Sequence, residues 1–215
     1  MTARRAIADC HLYLCTPDRP DLEGFVASCI IGGVDIVQLR EKHLDAKPLV
    51  ERARLVRAVC LDHGVPFILN DRPDLALEVE ADGVHVGQDD APVALARRIL
   101  GPGAVIGLST HETADLAEVV GPSGPDVSYI SAGPVEATPT KPGRPGTGLG
   151  YLRMATERAS VPVFVTGGVT PARIPDLARA GARHFVVVRH LTEAGDPQRA
   201  ARDLRRAIDE ALIAI

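Results

Sequence analysis

Short apolar runs alternate with amphipathic stretches from one end of the chain to the other. The runs at 11–16, 36–40, 66–70, 83–86, 104–108, 127–132, 162–166 and 184–189 have the length and composition of strands, so eight strands are predicted. Between them, segments at 22–32, 47–63, 73–80, 92–100, 112–120, 149–159 and 197–212 predict helices. Asp45 is placed to cap the second helix, and Pro171 behind Thr170 predicts a further helix start. Regular strand–helix alternation with short connections specifies a parallel sheet. The first such turn reads Pro17-Asp18-Arg19-Pro20, so the Gly-x-Gly-x-x-Gly turn of an open dinucleotide-binding sheet is absent. Eight units therefore favour a closed α/β (β/α)₈ TIM barrel, formed by residues 1–215 as a single domain.

Composition adds three constraints. Aromatic residues make up only 3% of the chain against 46% hydrophobic, which predicts a core of Val, Ala, Leu and Ile. A net charge of -4 argues against a general nucleic-acid or membrane-surface partner. Cys10, Cys15, Cys29 and Cys60 form no Cys-x-x-Cys pair and read as reduced, buried thiols of a cytoplasmic protein. No apolar run approaches a membrane span, and the stretch after Arg4 and Arg5 is too broken for a signal peptide.

The second predicted strand breaks the apolar pattern. Gln38 and Arg40 alternate onto one face, and Lys42 follows in phase as the strand ends. Three such groups aimed at one place suit an anion, although an isolated Gln-x-Arg-x-Lys also describes a solvated strand end. The other C-terminal strand ends, where barrels carry their chemistry, are polar as well: Asn70-Asp71, Gly87-Gln88-Asp89-Asp90, Ser109-Thr110-His111, Gly167-Gly168 and Val188-Arg189. Asp71 and Asp90 suit one hard cation such as Mg²⁺, with water and phosphate oxygens completing its shell; each also precedes a helix and alone reads as an N-cap. Arg40, Lys42 and Lys141 would neutralise a diphosphate, with Asn70 and Ser109 as neutral donors. The Gly167-Gly168 turn sits where many barrels hold a phosphate on backbone N–H groups. A sixteen-residue stretch from Gly133 to Gly148, with four Gly, four Pro and three Thr, is long for a barrel loop and suits a moving cover over a second anion. His85 and His111 lack metal-ligand spacing and read as structural or solvated.

In chain order, Gln38-Leu39-Arg40-Glu41-Lys42, Asn70-Asp71, Val84-His85-Val86-Gly87-Gln88-Asp89-Asp90, Gly107-Leu108-Ser109, Gly133-Pro134, Thr138-Pro139-Thr140-Lys141 and Gly167-Gly168-Val169 closely resemble the thiamine-phosphate synthase family. The resemblance implies a Mg²⁺-dependent transferase that joins a hydroxymethylpyrimidine diphosphate to a thiazole phosphate and releases diphosphate. It implies that Gln38, Leu39, Arg40, Glu41, Lys42 and Asn70 bind the pyrimidine diphosphate and that Asp71 and Asp90 hold the metal. Ser109 and Lys141 would contact the diphosphate, while Thr138, Pro139, Thr140, Gly168, Val188 and Arg189 would hold the thiazole phosphate. Arg40, Lys42, Ser109 and Lys141 would form the catalytic set. Two positions depart from the family: Arg189 stands where serine is common, and Glu136 where an apolar, often aromatic, residue is usual. The partners implied are these two small molecules, with no nucleic acid or membrane, and a homodimer is a candidate assembly. Two rivals share the fold: a thiazole tautomerase-like isomerase, which has no need of the diphosphate cations or the carboxylate pair, and a non-catalytic barrel that binds a phosphate ligand.

Overall fold

The computed structural model describes residues 6–121, 124–139 and 145–214. Its strands β1 (Leu12–Thr16), β2 (Ile36–Leu39), β3 (Phe67–Asn70), β4 (Gly83–Val86), β5 (Val105–Thr110), β6 (Tyr129–Ala132), β7 (Val163–Val165) and β8 (His184–Val187) are parallel and close in chain order, with β8 beside β1. Around them lie α1 (Leu22–Ile31), α2 (Ala46–Asp62), α3 (Pro73–Glu78), α4 (Val93–Leu100), α5 (Thr113–Val120), α6 (Gly148–Arg158), α7 (Ile174–Arg179), α8 (Arg189–Thr192) and α9 (Pro197–Ile213). The predicted TIM barrel is the observed one. Among the described residues no helix is long and apolar enough to cross a membrane.

Strand alternation divides the apolar residues between two cores. Val37 and Leu39 of β2 face outward and pack with the helices, whereas Ile36, one position away, joins a plug inside the barrel. That plug also contains Tyr13, Ile68, Tyr129 and Phe164. The Phe164 ring meets those of Tyr13 and Tyr129 edge-on, with centroids 5.4 and 5.0 Å apart. The core is mostly Val, Leu, Ala and Ile, as expected, and the chain's three Tyr and four Phe are all buried with them. A narrow barrel has a volume to fill, and a few large rings fill it where many small side chains would leave gaps. Gly107 makes the packing possible: a Cβ there would lie 2.1 Å from Tyr129 Cζ and 2.5 Å from His85 Nδ1.

Several predicted boundaries move for local reasons. β5 continues to Thr110 because Ser109 and Thr110 pair with Ser131 and Ala132. β8 stops at Val187, and the Val188 carbonyl accepts from the N–H groups of Leu191 and Thr192 to start α8, an element absent from the sequence prediction. Pro171 does not open a helix. Thr170 O accepts from Arg173 N and Ile174 N in a turn, and α7 begins at Ile174 with Pro175 in its first turn, where no N–H is required. Asp45 occupies the N-cap position of α2 without making a side-chain cap bond. Among the described residues the four cysteines form no disulfide, and all are buried, as expected.

The end of the barrel away from the site is tied by Asp35, whose side chain is 3% exposed. Its carboxylate accepts from the backbone N–H groups of His11 and Leu12 and from the Arg205 guanidinium of α9. Arg205 also donates to Gly33 O, so the last helix is pinned to the entry of β2.

Candidate active site

At the C-terminal ends of the strands a cavity of about 310 Å³ opens into the barrel. Gln38, Arg40 and Lys42 reach it from β2 and the segment that follows, as their shared parity predicts. No carboxylate among the described residues pairs with Arg40. Lys42 Nζ lies 2.8 Å from Asp71 Oδ2, and Asp71 shares a hydrogen bond with Asp90. Asp71 takes up φ 61, in the left-handed region that only a few residue types tolerate. Strained backbone of this kind concentrates at functional sites. Neither carboxylate caps a helix: Arg72 and Pro92 hold the N-cap positions of α3 and α4, and Asp90 Oδ2 accepts from Gly87 N at 2.8 Å. Burial pushes the Asp71 carboxyl up, and Asp90 adds to the push while Lys42 opposes it. Burial acts on Asp90 in the same upward sense, but the bonds from Asp71 and Gly87 N, with Lys42 and His85 nearby, hold it below the ordinary range. The two carboxyls are thus pushed apart in acidity, Asp71 upward and Asp90 downward. Asn70 Nδ2, buried on the same wall, has no hydrogen-bond partner among the described residues.

Beneath these charges runs a directed chain of hydrogen bonds. Cys15 Sγ donates to Gln38 Oε1 at 3.4 Å, and Gln38 Nε2 donates to Tyr13 Oη at 2.8 Å. Tyr13 and Tyr129 hydroxyls are 2.9 Å apart, and Tyr129 Oη is 3.0 Å from His85 Nδ1. His85 Nε2 lies 2.9 Å from Ser109 Oγ, which also accepts from Ser131 Oγ at 3.4 Å. Burial pushes both tyrosine hydroxyls well above their ordinary range, so each keeps its proton. With His85 neutral, counting one proton per hydroxyl gives one consistent set of directions. Tyr13, accepting from Gln38, donates to Tyr129; Tyr129 donates to His85 Nδ1; His85 carries its proton on Nε2 and donates to Ser109. Ser109 Oγ accepts from two sides, which leaves its own proton to point into the cavity.

A second cavity, of about 270 Å³, adjoins the first and shares Thr166, Val186 and Val188 with it. Gly167 and Gly168, at φ 88 and 73, form its floor with Thr170, and Thr138, Val188 and Arg189 complete the walls. Two ligands bound one to each cavity would lie side by side.

A family profile described as "Thiamine monophosphate synthase" matches residues 12–191 of this chain. The chain belongs to that family. It is 43% identical over 216 residues to the thiamine-phosphate synthase of Mycobacterium sp. (strain KMS), covering 94% of each chain. To that of Thermobifida fusca (strain YX) it is 44% identical over 211 residues, covering 96% of each. The solved thiamine phosphate pyrophosphorylase of Pyrococcus furiosus superposes with a TM-score of 0.83 at 29% identity, over 94% of this chain and 96% of that one.

The synthase-family residues named from the sequence divide clearly in space. Gln38, Arg40, Lys42, Asn70, Asp71, Asp90 and Ser109 meet in the first cavity, and Thr138, Gly168, Val188 and Arg189 in the second. Leu39 does not join them, because alternation sends it outward into the core. Glu41 turns back to accept from the N–H groups of Asp18 and His43. Pro139 lies outside the lining of both cavities, and Thr140 and Lys141 lie outside the described residues. Tyr13, Cys15, His85, Gln88, His111 and Ser131 line the first cavity without having been assigned to it. Their signal was register: Cys15 pairs with Gln38, Asn70 with His85 and Ser109 with Ser131, all in the polar layer one step below the strand ends.

The carboxylate pair suits magnesium on its chemistry. Among the described residues no three ligating side chains converge, so Asp71 and Asp90 would hold a cation whose remaining positions water and substrate oxygens fill.

Proposed function

We propose that this protein makes thiamine phosphate, transferring the methylene carbon of 4-amino-2-methyl-5-(diphosphooxymethyl)pyrimidine to the ring nitrogen of 4-methyl-5-(2-phosphooxyethyl)thiazole with release of diphosphate. The observation that carries the reading is the abutting pair of cavities, one rich in cations and carboxylates and one floored by a glycine turn. In this reading Arg40 and Lys42 receive the diphosphate, Asn70 Nδ2 and the outward proton of Ser109 orient it, and Gln38 meets the pyrimidine. Gly168, Thr138 and the backbone at Val188 and Arg189 hold the thiazole phosphate. Lys141 and Thr140 are assigned to the diphosphate and the thiazole phosphate from sequence alone. Asp71 and Asp90 hold Mg²⁺, which when bound supplies positive charge to the departing diphosphate.

The carbon–oxygen bond breaks first, its electron pair leaving with diphosphate, and the electron-rich aminopyrimidine carries the resulting benzyl-like cation. The thiazole nitrogen then donates its lone pair to the methylene carbon. No protein nucleophile takes part. The chain's own contribution is position and preset charge: fixed cations and a fixed Ser109 donor meet negative charge as it develops on the leaving group.

The test is diphosphate release by the purified protein given both substrates, with and without Mg²⁺. Release that requires metal and both substrates, with thiamine phosphate as product, is expected. Isomerisation of a thiazole phosphate alone, or tight phosphate-ligand binding without turnover, would overturn the reading in favour of a tautomerase or a binding barrel.

A further inference from the structure

Glu136 stands against the glycine turn of the second cavity. A Cβ built on Gly168 would lie 2.5 Å from Glu136 Oε2 and 2.8 Å from its Cδ, so the carboxylate group covers that glycine directly. Its other oxygen, Oε1, is 2.6 Å from Arg173 Nη2, and Arg173 sits at the N-cap of α7, just beyond the glycine turn. The backbone just before Glu136 is anchored at both of its polar groups, with Val135 N donating to Thr166 O and Gly148 N donating to Val135 O. A negative side chain is thus held by an arginine at the edge of a cavity that the proposed function fills with a phosphate.

We propose that Glu136 is a specificity-determining residue that competes with phosphate at Gly168 and so promotes release of the phosphorylated product. The inference rests on the proposed function for its choice of ligand. A phosphate dianion entering beside Gly168 meets the carboxylate at close range, and the two repel; binding therefore requires Glu136 to swing aside on its flexible side chain. The product keeps the phosphate of the thiazole substrate and occupies the same place. When Glu136 returns to Gly168 and Arg173, it favours departure of product as much as it disfavours entry of substrate. Arg189, which lines the cavity together with Glu193, offsets part of this repulsion.

The experiment compares wild type with Glu136→Gln, which keeps the size and removes the charge. Dissociation constants of inorganic phosphate and of thiamine phosphate are measured by calorimetry, with KM for the thiazole phosphate and kcat beside them. Both ligands are expected to bind about tenfold more tightly to the variant, equivalent to about 1.4 kcal/mol, with KM lower and kcat no higher. Unchanged or weaker binding would overturn the inference, because a Glu136 that only pins its segment through Arg173 would loosen the site when neutralised. Glu136→Lys provides a second reading if the glutamine variant folds poorly, and it should bind phosphate more tightly still. Failure of the proposed function is separate: wild type would then form no thiamine phosphate, whatever the ratio of phosphate affinities.

Discussion

Replacing Tyr129 by phenylalanine removes one hydroxyl from the middle of the barrel while keeping the ring that packs on Phe164. That hydroxyl accepts from Tyr13 and donates to His85 Nδ1, at 2.9 and 3.0 Å, in a site with no exposed surface. Each facing group loses one bond, and a buried donor or acceptor deprived of its partner costs about 1–3 kcal/mol. The variant should lose about 2–4 kcal/mol. In a domain of this size that lowers Tm by about 5–15 °C. Tyr13→Phe should cost a similar amount, since its hydroxyl serves Gln38 and Tyr129. The two losses should not add, because both remove the same Tyr13–Tyr129 bond: the double variant should cost less than the sum by about 1 kcal/mol. Urea unfolding of the four proteins measures this coupling directly. Additive losses, or a Tyr129→Phe variant with undiminished stability, would refute the directed chain. The chain also fixes the His85 tautomer, so ¹⁵N shifts of its ring should show the proton on Nε2 in wild type.

Three further outcomes follow from the geometry. Asp71→Asn should lower Mg²⁺-dependent turnover by on the order of 10²–10³, a loss like that of one preset electrostatic group; steady-state rates against Mg²⁺ concentration check this, and near-normal turnover would remove Asp71 from the metal site. Arg205→Ala removes the Arg205 guanidinium from the buried Asp35 carboxylate and should cost about 3 kcal/mol, read from the urea midpoint at neutral pH; an unchanged midpoint would refute the anchor. Burial, with His11 stacked beside it, holds His184 below its ordinary value, against the opposing pull of the Cys10 carbonyl and Asp35. The unfolded chain then takes up a proton at about pH 6.5 that the folded chain declines, so stability should fall as pH drops below that point. His184→Gln should flatten the slope of Tm against pH in that window, and an equal slope in both proteins would assign it elsewhere.

The barrel was legible because strand parity and strand–helix alternation are properties of neighbouring residues. Gln38, Arg40 and Lys42 could be placed on one face from spacing alone, and they line one cavity. The same rule, applied strictly, would have excluded Leu39, which the family resemblance swept in with its neighbours. Asp71 and Asp90 were found, but their mutual bond depends on the left-handed backbone at Asp71, which no spacing announces. The polar layer of Tyr13, His85, Tyr129 and Ser131 was missed for a different reason. Each of these looks like a strand-interior residue, and only the register across strands brings them together. The α8 turn and the position of Glu136 over Gly168 depend on contacts between separate loops, beyond the reach of local pattern.

The anchor at the foot of the barrel has a consequence for how the chain is made. Asp35 belongs to the first fifth of the sequence and Arg205 to its last helix, and β1 cannot complete its pairing until β8 exists. During synthesis the nascent chain therefore carries an open sheet edge on β1 and lacks the Arg205 end of the anchor. Contacts between such distant residues form late and slowly, and the unpaired edge is an aggregation hazard while it lasts. A product truncated before α9 would keep β8 and could close the sheet, but it would lack the Arg205 end of the anchor permanently.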